Sequence, residues 1–180
     1  MNYTKIIGLH GYAGVGKSRI AAHLQAEHGY TVVKFAGPIK AMARAIGLST
    51  DHIEGDLKEV PTMLLDGHTP RQFMQLLGTE FGRKFFGEDF WVNRAMAMAY
   101  DVIDCGGRVV IDDCRFPNEA KAIQKSGVVL RVTRPGVGPV NAHSSDNQHV
   151  DVDAEIVNGG SVDDLLQVVD LALELCDALP

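Results

Sequence analysis

The stretch GLHGYAGVGKSRIAAHL, from Gly8 to Leu24, decides how the rest of the chain is read. It opens inside a short apolar run, KIIGLHG, that reads as a buried strand. It closes inside Lys17 to His28, where Ile20, Ala21 and Leu24 recur at helical spacing until Gly29 stops the run. Between the two lies G-x-x-x-x-G-K-S, Gly11 to Ser18. Glycines at 11, 14 and 16 permit positive φ and bring backbone N–H groups close to phosphate oxygens. The next helix aims its positive end at the same point. Lys17 would neutralise β- and γ-phosphates, and the Ser18 hydroxyl would ligate Mg²⁺. Strand, loop, helix is the context the motif requires. The expected ATP-binding set is Gly11, Ala13, Gly14, Val15, Gly16, Lys17, Ser18 and Ile20.

The 180 residues suit one domain with its own core, at 46% hydrophobic and 22% charged residues. A net charge of −6 argues against a nucleic-acid polymer as partner, whereas a small anion can still be held by local cations. The three cysteines, Cys105, Cys114 and Cys176, are odd in number and match no metal or redox spacing, so a reduced cytoplasmic setting is expected. The first residues do not read as a signal peptide, and no apolar run approaches the ~18 residues that span a bilayer.

Working outward, YTVVKFA reads as a second strand, and Pro38 opens a helix that runs to Ile46. Residues 48–70 read as loops with a short helix. TPRQFMQLLGTEFGRKFF reads as a helix capped by Thr69 and Pro70, and FWVNRAMAMAYDVIDC as another. RVVIDDCRF is the third strand, NEAKAIQKSG a helix capped by its asparagine, VVLRVTRPG the fourth strand and AEIVN the fifth. SVDDLLQVVDLALELCDAL is a long amphipathic helix with an acidic first turn. Alternating strands and helices predict an α/β, three-layer P-loop NTPase fold, a parallel five-stranded sheet with helices on both faces. The expected organisation is a single domain over 1–180, with a substrate-binding helical insert at about 48–105 and a lid loop at about 135–151. Ligands in such a fold sit at the carboxyl ends of the strands.

Mg²⁺ also needs a carboxylate, and VVIDDC supplies Asp112 and Asp113 at a strand end; either could serve the metal or act as base. GTPases of this fold carry an N/T-K-x-D motif, which is missing here, and the chain is short for a motor or transport ATPase. That leaves a small-molecule kinase, which needs a second anion site and arginines around the transferring group. Arg71 and Gln75 lie four apart on the predicted helix, and Thr79 and Arg83 continue that row. Arg115 follows the acidic strand end, while Arg131 and Arg134 flank the lid loop.

GYAGVGKS, FAGPIK, RQFMQLLGTEFGR, FWV, IDDCRFPNEA, RVTRPG and HSSD, in that order, resemble the phage-type deoxynucleoside monophosphate kinases, a branch of the P-loop nucleotide kinases. The resemblance implies ATP-dependent phosphorylation of a deoxynucleoside monophosphate (dNMP) to the diphosphate, with Mg²⁺ and ATP as cofactor and donor. It implies Lys17 and Ser18 at ATP, Arg71, Arg83 and Arg115 near the monophosphate and Arg134 as a lid arginine. Together with the acid pair, the expected catalytic set is Lys17, Asp113, Arg115 and Arg134 and the expected metal set is Ser18, Asp112 and Asp113. The expected acceptor set is Phe35, Lys40, Arg71, Gln75, Thr79, Arg83, Trp91 and Arg115. A monomer or homodimer in the cytoplasm, without membrane or nucleic-acid partner, completes the expectation. Two departures stand out. The family commonly has FADPLK where this chain has Gly37, and the HSSD block commonly ends in glutamate where this chain has Asp146. A kinase of another small molecule, of dephospho-coenzyme A or sugar-acid type, and a non-catalytic nucleotide-binding protein are the competing readings.

Weaker signals read as structural. His143, His149, Asp151 and Asp153 fit no zinc spacing and suit a polar loop. Phe35 could stack on a base or pack in the core, Trp91 suits a helix start, and Met96 and Met98 suit packing.

Overall fold

Three strands with every core-facing position apolar, KIIGLH, RVVIDDC and VVLRVT, can only be satisfied in a sheet covered on both faces. The computed structural model, which describes residues 4–138 and 149–178, shows that sheet. Its strands are β1 (Ile6–His10), β2 (Tyr30–Val33), β3 (Arg108–Cys114), β4 (Val128–Thr133) and β5 (Ala154–Val157). All pairings are parallel, in the order β2-β3-β1-β4-β5. The order sets β3 beside β1, so the acidic strand end lies next to the start of the glycine loop.

The chain divides into two compact units, one of Met1–Lys34 with Met96–Pro180 and one of Phe35–Ala95. The first holds the sheet with α1 (Lys17–His28), α6 (Pro117–Gln124) and α7 (Val162–Ala178). Ile7 and Leu9 of β1 face a core shared with Ile20, Ala21 and Leu24 of α1 and with Leu165, Val169 and Leu173 of α7. Gly8 faces the opposite side, where a Cβ would stand 2.6 Å from Ile123 of α6. This alternation along one strand assigns α1 and α7 to one layer and α6 to the other.

The second unit contains α2 (Gly37–Ala45), α3 (Thr50–Ile53), short 3₁₀ turns at Asp56–Glu59 and Met63–Leu65, α4 (Pro70–Leu76) and a π-helical segment, Leu77–Phe86. The long helix α5 (Phe90–Asp104) begins here. Ala43, Leu48, Ile53 and Met74 form its own small core. Thr69 caps α4 as expected: its hydroxyl accepts from the Gln72 N–H at 3.1 Å and the Gln72 side chain accepts from the Thr69 N–H at 3.0 Å.

Three local expectations are corrected. The helix predicted across TPRQFMQLLGTEFGRKFF changes to i→i+5 bonding after Leu76, which interrupts the four-residue row from Arg71 to Arg83. β2 stops at Val33, so Phe35 ends no strand. Helix α6 starts at Pro117 rather than at an asparagine cap, and the Glu119 carboxylate receives the N–H groups before it.

Candidate active site

The loop between β1 and α1 is shaped by glycines at positions no other residue fits. Gly11, Gly14 and Gly16 have φ of 143°, 81° and 111°. A Cβ on Gly11 would stand 2.3 Å from the Val132 carbonyl oxygen, so β4 crowds the loop directly. At the other end Asn158, buried just after β5, donates its side-chain N–H to the Val15 carbonyl at 2.9 Å. Its own N–H donates to the Thr133 carbonyl at 2.7 Å. Asn158 therefore ties the loop to the ends of β4 and β5. It escaped the sequence reading because no motif contains it.

Lys17 folds back across the loop, its ammonium donating to the carbonyls of Gly11 at 2.6 Å and Tyr12 at 2.7 Å. The charge is thus held at the mouth of the loop. Ser18 is exposed in the first turn of α1, and Ala13 and Gly14 are exposed at the loop tip. Val15 and Ile20 differ: both side chains are buried in the core, and the Ile20 N–H is spent on the Gly16 carbonyl at 3.1 Å. Their contribution to the cradle is to anchor its backbone.

The acid pair lies where β3 slips against β1. Gly8 pairs with Ile111, but His10 pairs with Cys114, so β3 carries an extra residue across Asp112–Asp113. A bulge re-aims side chains in this way, and bulges concentrate beside active sites. Asp112 is buried, and Lys34, just past the neighbouring β2, sets its ammonium 2.7 Å from Oδ1 and 2.8 Å from Oδ2. The ammonium is directed at Oδ2, and buried Oδ1 receives no hydrogen bond. Asp113 is half-buried. Two carboxylates at one strand end, with Asp112 Oδ1 receiving no directed hydrogen bond although the Lys34 ammonium lies 2.7 Å away, offer the oxygen ligands that a hard cation takes directly or through water. The residues present fit Mg²⁺.

Two arginines follow strand ends. Arg115 is exposed, while its backbone N–H donates to the buried Glu119 carboxylate at 2.7 Å, joined by the Phe116 N–H at 3.0 Å. Arg134 is exposed immediately after β4. Arg131, in contrast, donates to the Val150 carbonyl at 2.8 Å and secures the segment before β5. His10, also unforeseen, ends β1 and donates from Nδ1 to the Cys114 carbonyl at 3.1 Å. Burial pushes its pKa below 6.5, the Cys114 bond pulls it part-way back, and Arg131 and Lys17 push it down again. His10 is therefore neutral at pH 7. Burial and the charges of Glu119 and Asp113 raise the Cys114 pKa far above the thiol range, so this sulfur is inert packing.

In the Phe35–Ala95 unit, three of the expected acceptor-binding cations carry acidic neighbours. Lys40 pairs with Glu54 at 2.7 Å, Arg71 with Glu59, and Arg83 with Glu88 at 3.3 Å. The acids are all well exposed, so an incoming phosphate can replace them at small cost. Gln75 and Thr79 are exposed, whereas Phe35 is buried. Trp91 is occupied structurally: it is buried, and its indole N–H donates to the Gly78 carbonyl at 2.8 Å. Of the weaker signals, His149 and Asp151 form an exposed pair at 3.3 Å and Asp153 accepts from the Val129 N–H at 2.7 Å. His143 and Asp146 lie outside the described residues.

Comparison with known proteins settles the family. A family model for deoxynucleotide monophosphate kinase matches residues 48–169. The chain belongs to the deoxynucleotide monophosphate kinase family. A protein of Acanthamoeba polyphaga mimivirus, provisionally named a deoxynucleotide monophosphate kinase, is 31% identical over 157 residues, 78% of this chain and 80% of that protein. Among solved structures, the kinase shares its fold with the APS kinase of Mycobacterium tuberculosis in complex with AMPPNP and APS, with a TM-score of 0.55 at 14% identity over 96% and 98% of the two chains. TT1252 from Thermus thermophilus gives a TM-score of 0.54 at 19% identity over 97% and 98%. The chain is a phosphotransferase with a P-loop fold, and its family implies Mg²⁺ with ATP. No helix among the described residues of the kinase is long and apolar enough to cross a membrane.

Proposed function

We propose that this kinase transfers the γ-phosphoryl group of ATP to a deoxynucleoside monophosphate, yielding the diphosphate and ADP. The observation that carries the reading is where the family match falls. It begins at residue 48, beyond the glycine loop, and covers both LGTEFGR and DDCRFPNE. The likeness thus rests on the segments assigned to the acceptor rather than on a phosphate cradle common to many NTPases.

The acceptor needs no protein nucleophile, because its α-phosphate is already an anion. One of its oxygens attacks the γ-phosphorus in line, the bond to the β-phosphate bridging oxygen breaks, and ADP leaves with that electron pair. Lys17 moves from the carbonyls of Gly11 and Tyr12 to the β- and γ-phosphates. Ser18 and the Asp112–Asp113 pair would hold Mg²⁺, which would supply charge neutralisation for the donor phosphates. Arg71 and Arg83 take the monophosphate, with Lys40, Gln75 and Thr79 alongside. Arg115 and Arg134 offset charge on the transferring group. Gly37 leaves the helix α2 start without the acid usual in the family, and Asp113 is the carboxylate assigned to orient the acceptor in its place.

The fold is shared with kinases of other acceptors, so the test is an acceptor panel. With Mg·ATP, ADP formation is measured on the deoxynucleoside monophosphates, dephospho-coenzyme A, gluconate and APS. Turnover only on deoxynucleoside monophosphates is expected. ADP release with any of the other acceptors and none with a dNMP would sink the assignment. Lys17→Ala should lower kcat by about 100-fold or more, the usual cost of removing a charge-stabilising donor. A wild type that binds ATP yet releases no ADP with any acceptor would instead be a nucleotide-binding protein.

A further inference from the structure

We propose that His23, His28 and Asp170 form a binding site for one transition-metal ion of the zinc type, joining α1 to α7. His23 and His28 lie on α1 and Asp170 on α7. The two imidazole Nε2 atoms converge on a single carboxylate oxygen, Asp170 Oδ1, at 2.7 and 2.8 Å. One ligand atom from each residue lies within 4.8 Å of the others, a grouping found nowhere else among the described residues. The rings meet edge to face, with centroids 5.4 Å apart and planes at 70°.

Convergence on one oxygen brings two imidazole nitrogens and a carboxylate oxygen to a common point, a donor set that a zinc-type ion takes. A four-coordinate Zn²⁺ has nitrogen and oxygen ligands at about 2.0–2.2 Å, so its ligand atoms stand about 3.3 Å apart. Entry of the ion therefore widens the present contacts by about 0.5 Å, within reach of rotamer adjustment on two helix surfaces. Both histidines would coordinate as neutral rings through Nε2, with the single ring proton of each carried on Nδ1. The side chains are 14%, 29% and 43% exposed. The histidines are thus held by packing while the carboxylate opens to solvent, from which water completes the coordination.

The site is separate from the phosphotransfer chemistry. His28 is eleven residues along α1 from Lys17, about 16 Å at 1.5 Å per residue. All three residues fall outside the stretch that the family model matches, 48–169. Two imidazoles and one carboxylate favour Zn²⁺, Ni²⁺ or Cu²⁺, whereas Mg²⁺ prefers all-oxygen ligands. The Mg²⁺ of the kinase reaction does not compete for it. An ion bound only by the folded chain raises stability with the logarithm of its free concentration relative to Kd.

The experiment uses the full chain freed of metal by chelator and dialysed. Zn²⁺ is titrated calorimetrically in excess Mg²⁺, and the zinc-loaded wild type is examined by X-ray absorption at the zinc edge. The expected result is one Zn²⁺ per chain with two imidazole nitrogens and oxygen in the ligand shell, and a rise in Tm. His28→Gln and Asp170→Asn should each weaken binding at least tenfold and cancel the rise. Their Mg·ATP turnover in chelator should equal wild type. A wild type without stoichiometric zinc, a sulfur-containing shell, or variants that bind as wild type would each overturn the proposal. The absorption spectrum decides the ligand set even where a variant folds poorly.

Discussion

Asn158 holds the Val15 carbonyl of the glycine-rich loop at 2.9 Å. Truncation to alanine leaves the Val15 carbonyl without its donor in a buried setting, which costs about 1–3 kcal/mol. Because that carbonyl sits in the middle of the phosphate loop, the Asn158→Ala variant should also raise KM for ATP several-fold. Urea unfolding and steady-state kinetics together check this; a stability loss with unchanged KM would confine Asn158 to the core. Gly37 invites the opposite change. It is the first residue of α2, its φ is not positive, and the preceding Ala36 offers no side-chain cap. Gly37→Asp restores the acid usual in the family, places negative charge at a helix N-terminus and removes unfolded-state entropy. A gain of about 1 kcal/mol in the urea midpoint analysis is expected. A lower KM for the dNMP would accompany it if this position orients the acceptor.

At the scale of elements, Trp91 packs directly against the π-helical segment. Its ring fills the space that a side chain at Gly82 would need, since a Cβ there would lie 2.0 Å from Nε1 and 2.4 Å from Cε2. Gly82→Ala must expel the indole and break its bond to the Gly78 carbonyl, at a cost of about 3 kcal/mol. Trp91 is the only tryptophan, so a red shift in emission with an earlier unfolding midpoint reports the loss directly. Nothing in TPRQFMQLLGTEFGRKFF discloses this contact, because its hydrophobic spacing suits an α-helix and Trp91 lies outside the stretch. What was legible is what local rules govern. The G-x-x-x-x-G-K-S loop, the strand and helix alternation, and the Thr69 cap follow from backbone freedom, periodicity and side-chain reach. Pairings across the sequence were hidden. The Lys34–Asp112 ion pair joins residues 78 apart, and the bulge across Asp112–Asp113 exists only in the pairing of β3 with β1. Asn158 was unreadable for the same reason, being 143 residues from the carbonyl it holds.

For the whole molecule, acid stability is set by groups whose pKa values folding lowers. Burial foremost depresses His10 below 6.5. For Asp170 burial acts to raise the pKa, but the hydrogen bonds and charges of His23 and His28 outweigh it, leaving the carboxyl below 3.8. In both cases the unfolded chain binds its proton at a higher pH than the native one. Stability therefore increases with pH across each interval, is complete above the unfolded value, and is lost on acidification. Among the described residues two steps are expected, one starting near pH 6.5 from His10 and another starting near pH 3.8 from Asp170 and from Asp164, whose carboxyl accepts from the Ser161 hydroxyl and N–H. His10→Asn isolates the first. The asparagine amide stands where Nδ1 now donates to the Cys114 carbonyl, so the strand ends stay joined while the titrating group is gone. Urea midpoints measured in chelator at pH 8, 7, 6 and 5 should show the wild type falling away from the variant only below about pH 6.5. Parallel curves would mean that His10 takes up its proton as readily in the native protein as in the unfolded chain, and that burial beside Lys17 and Arg131 leaves its charge state unperturbed. A divergence above pH 7 would assign the effect to another group.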